Sequence, residues 1–168
     1  MAIQTSTVTL RPARPEDRDF LLAVYASTRA EEMAIVPWTD EQKDAFVRFQ
    51  FEAQDRHYRE HFARASFDVV LVGGDPAGRL YVDRGPAEIR VVDIAILPEF
   101  RGAGVGGMLL GELLNEAERT GRKVSIHVER FNRAIGLYRR MGFTPVADAG
   151  GDAYVLMEWV RPSERSTR

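Results

Sequence analysis

The sequence predicts a single α/β domain built on a mixed sheet, and three observations carry that prediction. Short β-branched runs alternate with stretches of helical periodicity, glycine or proline marks most junctions, and the order of elements contains no repeat. At 168 residues the chain is long enough to bury a core of its own. Its 45% hydrophobic and 29% charged residues are the balance of a globular protein.

Thr7 to Arg11 alternates and reads as a short strand closed by Pro12. Pro15 to Ser27 carries Phe20, Leu21, Val24 and Tyr25 at helical spacing. Pro37-Trp38-Thr39-Asp40 breaks the chain, and Thr39 or Asp40 caps a second helix running to about His61. Its expected apolar stripe is Phe46, Phe49, Gln50 and Ala53. Phe67 to Val72 is a strand, Gly73-Gly74-Asp75 a hairpin turn, and the next strand ends near Val82. Gly85-Pro86 turns into a long strand, Glu88 to Leu97, which Pro98 stops. A helix over Val105 to Arg119 ends at Gly121 and leads to a strand over Lys123 to Val128. Asn132 is expected to cap a short helix through Met141, terminated by Gly142. Phe143 to Ala147 then returns as strand, and a Gly150-Gly151-Asp152 hairpin leads into Ala153 to Trp159. The domain is expected to span residues 1–160, with a polar tail over 161–168.

Composition removes several function classes. A net charge of −2 argues against a nucleic-acid binder that relies on bulk charge. The absence of cysteine excludes disulfides, thiolate metal sites and cysteine nucleophiles. Met1 to Leu10 lacks the apolar core of a signal peptide, and no run approaches membrane-spanning length. The expectation is a cytoplasmic protein with neither nucleic-acid nor membrane partners.

The densest signal is Arg101-Gly102-Ala103-Gly104-Val105-Gly106-Gly107, set between a strand and a helix. Glycine admits positive φ and lets an anion approach without meeting a Cβ. The first N–H groups of a helix lack internal partners, and the helix dipole adds partial positive charge there. Together these features read as a pyrophosphate cradle. Gly102, Gly104 and Gly107 also satisfy the G-x-G-x-x-G dinucleotide fingerprint, with Glu129 where an acid would meet a ribose. The context disagrees, because Pro98-Glu99-Phe100-Arg101 separates strand from glycine and the preceding segments read as antiparallel hairpins. A Walker loop is excluded because no Gly-Lys-Ser/Thr follows the glycines. The bland alternative is a tight turn that only packs a helix near a strand.

The flanking residues are more specific. Ile94-Ala95-Ile96-Leu97-Pro98-Glu99-Phe100-Arg101-Gly102-Ala103-Gly104-Val105-Gly106 resembles the acetyl-CoA motif of the GNAT acetyltransferase superfamily, Arg/Gln-x-x-Gly-x-Gly/Ala. Asn132-Arg133-Ala134-Ile135-Gly136-Leu137-Tyr138-Arg139-Arg140-Met141-Gly142-Phe143 resembles the family's second motif, an Asn followed by Leu-Tyr and Gly-Phe. Asn132 and Tyr138 stand six apart where many members have seven. The predicted element order matches the family fold over nearly the whole chain. That fold has a mostly antiparallel central sheet flanked by helices, with a splayed strand pair that binds acetyl-CoA.

The resemblance implies roles. Ile94, Ala95 and Ile96 match the strand that pairs with the pantetheine arm as an extra strand would. Arg101 and the amides of Gly102, Ala103, Gly104, Val105, Gly106 and Gly107 would hold the pyrophosphate, and Asn132 would contact the cofactor. Tyr138 matches the general acid that protonates the departing thiolate, a role suited to a phenol that is protonated at neutral pH. His127 stands where some members carry a base for the acceptor amine, with Asp93 and Glu88 as alternatives. Five residues apart on one strand, Asp93 and Glu88 point to opposite faces. The resemblance implies direct acetyl transfer in a ternary complex to a small-molecule amine or a peptide N-terminus, and a homodimer is compatible with it. A non-catalytic acyl-CoA sensor and a dinucleotide oxidoreductase are the competing readings.

Two further patterns carry less. His57-Tyr58-Arg59-Glu60-His61 matches H-x-x-E-H but has no evident third ligand, so no metal is expected. Arg29, Glu32, Trp38 and the Gln50/Gln54 pair lie where the family builds its acceptor wall, and read equally well as a charged surface with one anchoring tryptophan.

Overall fold

The computed structural model describes residues 6–146, 151 and 153–165. In chain order it contains β1 (Val8–Pro12), a 3-10 turn (Pro15–Asp17), α1 (Arg18–Ala34), α2 (Asp40–His61), β2 (Ser66–Val72), β3 (Asp75–Arg84) and β4 (Glu88–Ile96). A second 3-10 turn (Pro98–Phe100) leads to α3 (Val105–Thr120), β5 (Lys123–Glu129), α4 (Ile135–Arg140), β6 (Thr144–Pro145), β7 (Tyr154–Trp159) and α5 (Pro162–Arg165). The strands form a seven-stranded sheet in the order β1-β2-β3-β4-β5-β7-β6. Pairs β1/β2, β5/β7 and β6/β7 are antiparallel, whereas β4 and β5 run parallel and are joined through α3, as a parallel connection requires.

The chain divides into two compact units, and the division falls within β3 and β4. The first comprises Met1–Tyr81 and Asp93–Ala103. Its core packs Leu21 and Tyr25 of α1 and Val47 and Phe51 of α2 with Val69 of β2. Thr39 starts α2 with a reciprocal cap: its Oγ1 accepts from the Gln42 N–H at 3.1 Å, and Gln42 Oε1 accepts from the Thr39 N–H at 3.0 Å. Ahead of α1, Asp17 takes a bidentate bond from Arg11 at 2.7 and 2.8 Å and another from the Arg14 N–H at 2.7 Å. Those bonds, the Arg11 pair foremost, hold the Asp17 carboxyl at about 2, well below its ordinary 3.8.

The second unit comprises Val82–Val92 and Gly104–Arg168. α3 buries Val105, Leu109, Leu110, Leu113 and Ala117, an amphipathic stripe, and Gly121 ends it in the left-handed region at φ 69°. β5 buries Val124, Ile126 and Val128 on one face and Ser125 on the other.

Several local expectations are corrected. α1 runs seven residues past Ser27, because the Ser27 and Thr28 hydroxyls donate to the Val24 and Tyr25 carbonyls inside the helix instead of ending it. The buried stripe of α2 is Val47 and Phe51, continued by the partly buried Gln54 and Tyr58, while Phe49 is 71% exposed. Counting aromatics rotated the predicted stripe; the true one includes polar members with buried partners. Asn132 is not the N-cap of α4, which is Ala134; its Oδ1 instead accepts from the Ala134 N–H at 2.8 Å in a turn before the helix. β6 is confined to Thr144–Pro145, with the Val146 N–H bonded to the Leu156 carbonyl. Ala147, Gly150 and Asp152 of the expected strand and hairpin lie outside the described residues. Within the polar segment after residue 160, Arg165 of α5 donates to the Val160 and Gly142 carbonyls at 3.1 and 3.0 Å, which the sequence did not signal.

Because its carboxyl titrates lower in the folded state than in the unfolded one, Asp17 adds stability that is complete above about pH 4 and is lost as pH falls towards 2. Asp17→Asn should therefore unfold more readily than wild type in urea at pH 7. The gap should narrow steadily between pH 4 and pH 2; a gap constant across that window would remove the ion pair as its cause.

Candidate active site

The glycine loop is shaped by its backbone. Gly102 and Gly104 adopt φ of 82° and 81°, and no atom lies within 4 Å of where a Cβ would stand on either. Positive φ there costs an L-residue side chain, and the open space leaves the amides approachable. The first intrahelical bond of α3 runs from the Met108 N–H to the Gly104 carbonyl at 2.9 Å. The N–H groups of Val105, Gly106 and Gly107 therefore precede the helix ladder, at the positive end of a 16-residue helix. Loop and helix start have the donors and the room for a pyrophosphate. Arg101 folds back so that its Nε donates to the Ile96 carbonyl at 2.8 Å, which places the guanidinium at the end of β4.

β4 supplies a second feature. Its parallel ladder with β5 runs from Glu88↔Lys123 to Val91↔Ile126 and stops there, although β4 continues to Ile96 and β5 to Glu129. The segment holding Ile94, Ala95 and Ile96 thus has no ladder to β5 among the described residues. On its other side it lies against β3, where the Leu97 N–H donates to the Ala77 carbonyl at 2.8 Å. A Cβ on Gly78 would collide with the Ala95 carbonyl oxygen and the Ile96 backbone, so β3 approaches β4 there as only glycine permits. The register between β3 and β4 differs by one residue between the Gly85–Glu88 bond at the hairpin and the Leu97–Ala77 bond at the far end. One extra residue between those bonds is the signature of a bulge.

In the second unit, α4 lies against the start of α3. Leu137 carbons stand 3.9 and 3.8 Å from where Cβ atoms on Gly106 and Gly107 would be. Tyr138, the next residue, is buried, its ring tilted against Phe143 at 5.9 Å between centroids. His127 is exposed and pairs in register with Leu156 of β7, on the face of β5 opposite Ile126 and Val128.

The two carboxylates named as alternative bases are engaged with separate partners. Glu88 accepts from the Ser125 hydroxyl and lies 3.6 Å from Arg90. Asp93 accepts from Arg79 Nε at 3.1 Å through one oxygen, and from Arg79 Nη2 and the Tyr58 hydroxyl, both at 2.8 Å, through the other. Burial, with the neighbouring Asp93 carboxylate, pushes the Tyr58 phenol far above its ordinary range. Burial is the largest influence on Arg79 and acts to lower its pKa, but the Asp93 carboxylate together with Tyr81 and Tyr58 raises it overall, and the guanidinium is held charged.

Residues considered for an acceptor wall also find partners within the fold. Arg29 donates to Glu32 at 3.0 Å and to the Tyr25 hydroxyl at 3.2 Å. Gln50 accepts from Tyr25 at 3.2 Å and Gln54 from Arg79 at 2.8 Å. Trp38 is partly exposed and meets Phe46 edge-on at 5.2 Å. His57 and His61 stack at 4.1 Å on an exposed face, His61 Nδ1 lying 3.0 Å from the His57 carbonyl. The cluster of Arg79, Asp93, Tyr58 and Gln54 went unanticipated. Its one signal was an arginine inside an otherwise apolar strand, Ala77 to Val82, since a buried charge needs a partner.

A sequence model of the acetyltransferase (GNAT) family matches residues 24–143, which include the glycine loop, His127 and Tyr138. The chain belongs to that family, and it is an N-acetyltransferase that takes its acetyl group from acetyl-CoA. It is 29% identical over 164 residues to a Bacillus subtilis protein named as a candidate ribosomal protein bS18-alanine N-acetyltransferase, covering 92% of this chain and 96% of that one. Its fold is similar to that of the PaiA N-acetyltransferase of Thermoplasma acidophilum, solved with coenzyme A. The TM-score there is 0.68 at 17% identity, over 92% of this chain and 99% of the other. The Escherichia coli ribosomal-protein-S18-alanine N-acetyltransferase aligns with a TM-score of 0.58 at 20% identity, over 92% and 94% of the two chains. No helix among the described residues is long and apolar enough to cross a membrane.

Gly104→Ala should test the cradle. The open surroundings predict a folded variant weakened by only about 1 kcal/mol from the strained φ. Its dissociation constant for coenzyme A, measured by calorimetry, should rise about tenfold, because an added methyl group narrows the approach to the loop backbone. Unaltered affinity in the folded variant would place the pyrophosphate elsewhere.

Proposed function

We propose that this enzyme acetylates the α-amine of a polypeptide N-terminus by direct attack on acetyl-CoA, with Tyr138 as general acid and His127 as general base. The observation that carries the acceptor class is the end-to-end similarity to the Bacillus subtilis protein, whose name specifies a protein alanine as acceptor. In this reading His127 removes a proton from the acceptor ammonium, the neutral nitrogen so formed bonds to the acetyl carbonyl carbon, and the second proton it then sheds to solvent balances the one Tyr138 gives up. The C–S bond then breaks, and Tyr138 protonates the sulfur. Without cysteine in the chain there is no thiol to carry the acyl group, which favours one transfer over two.

Geometry supports the division of roles. The oxygens of Asp93 and Glu88 accept hydrogen bonds from Arg79, Tyr58 and Ser125, so either carboxylate would have to give up partners to take a proton. His127 is exposed on its strand. The amides of Gly102 to Gly107 with Arg101 hold the pyrophosphate, the β4 edge at Ile94, Ala95 and Ile96 receives the pantetheine arm, and Asn132 borders the cofactor from the turn before α4. Residues 1–160 act as the catalytic domain.

Tyr138→Phe should lower kcat about a hundredfold while leaving coenzyme A affinity within twofold of wild type. His127→Ala should remove the acidic limb of the pH–rate profile, with activity partly recovered at high pH where the amine is already neutral. A panel of short peptides beginning with alanine, each paired with its N-terminally blocked form, should release free thiol only with the unblocked members. Release with small polyamines and none with peptides would move the acceptor to the small-molecule class.

A further inference from the structure

We infer that Arg79 is a positioning residue for the cofactor strand, which it holds, through Asp93 and together with Tyr58 and Gln54, in the geometry that receives the pantetheine arm. The inference rests on the proposed role of Ile94, Ala95 and Ile96. Past Val91 that strand has no ladder to β5 among the described residues. A strand held on one side only is freer to shift, and a ligand that pairs with its open edge must then supply the ordering.

Three consecutive residues of β3 meet this need. The Ala77 carbonyl takes the Leu97 N–H, Gly78 permits close approach at Ala95 and Ile96, and Arg79 grips Asp93, the residue before Ile94. The Arg79 side chain is 3% exposed and uses Nε and Nη2 as a fork onto both Asp93 oxygens. Nη2 also reaches Gln54, and Tyr58, one turn further along α2, adds its hydroxyl to Asp93. The guanidinium carbon lies 5.2 Å from the ring centre of Tyr81 and 5.9 Å from that of Tyr25. The position of Asp93 is thereby tied to a neighbouring strand and to a helix at once.

Stability alone does not explain a charge pair here. Buried ion pairs are often matched or exceeded in stability by apolar side chains of similar volume, because desolvation offsets the attraction. What a bidentate fork supplies, and a methyl contact does not, is directional restraint along the strand. That restraint acts on the residue next to the expected pantetheine edge.

The test is the pair Arg79→Met/Asp93→Leu, which removes both charges together, alongside Tyr58→Phe, which leaves the ion pair in place. Binding of coenzyme A and of 3′-phospho-ADP, its nucleotide part without the pantetheine arm, is measured by calorimetry on each folded protein. The double variant should bind coenzyme A about tenfold more weakly and 3′-phospho-ADP as wild type does; Tyr58→Phe should show the same pattern at about threefold. Unchanged coenzyme A affinity, or an equal loss for both ligands, would overturn the positioning role, and if the double variant does not fold Tyr58→Phe decides by the same criteria. Wild-type protein that binds neither ligand would overturn the transferase reading itself.

Discussion

A parallel pair of strands that stops pairing while both strands continue is the constraint on which the proposed cofactor edge depends. β4 and β5 share a ladder only through Val91↔Ile126. Beyond it, β4 carries backbone groups suited to pair with an extended ligand arm, as an open sheet edge pairs with a peptide. An interior strand without its ladder is a weakness unless something else holds it. Here the compensation comes from β3, through Gly78, the Leu97–Ala77 bond and the Arg79–Asp93 fork. The glycine loop at the end of that strand is held by its own geometry, with Arg101 bonded back to Ile96 and Gly104 capping α3.

Two carboxylates of suitable chemistry are engaged within the fold. Asp93 and Glu88 are chemically able to accept a proton, yet each is committed to donors that make its charged form useful to the fold. His127 is exposed, and Tyr138 is a buried phenol on a short helix that meets the first turn of α3 through Leu137. The proposed mechanism assigns proton transfer to His127 and Tyr138 instead.

Features governed by neighbours in sequence were the legible ones. The capping box at Thr39, the left-handed glycine after α3 and the positive-φ glycines of the loop obey rules with a reach of three or four residues. The rotation of α2 failed for the opposite reason. Gln54 and Tyr58 belong to its inner face because Arg79 and Asp93, distant in sequence, give their polar ends partners. Asn132 shows the same limit on a smaller scale, since one hydrogen bond to Ala134 moves the helix start by two residues.

The sequence by itself determined the element order, the glycine loop between strand and helix and the family, because each is written in local spacing: glycines at fixed offsets, hydrophobic period and motif order. Only the tertiary structure decided which carboxylates are already spent, where the β4 ladder ends and what holds the unpaired segment in place. Those outcomes depend on which distant residues come within hydrogen-bond reach, about 3 Å. A linear reading of side-chain type carries no information at that range.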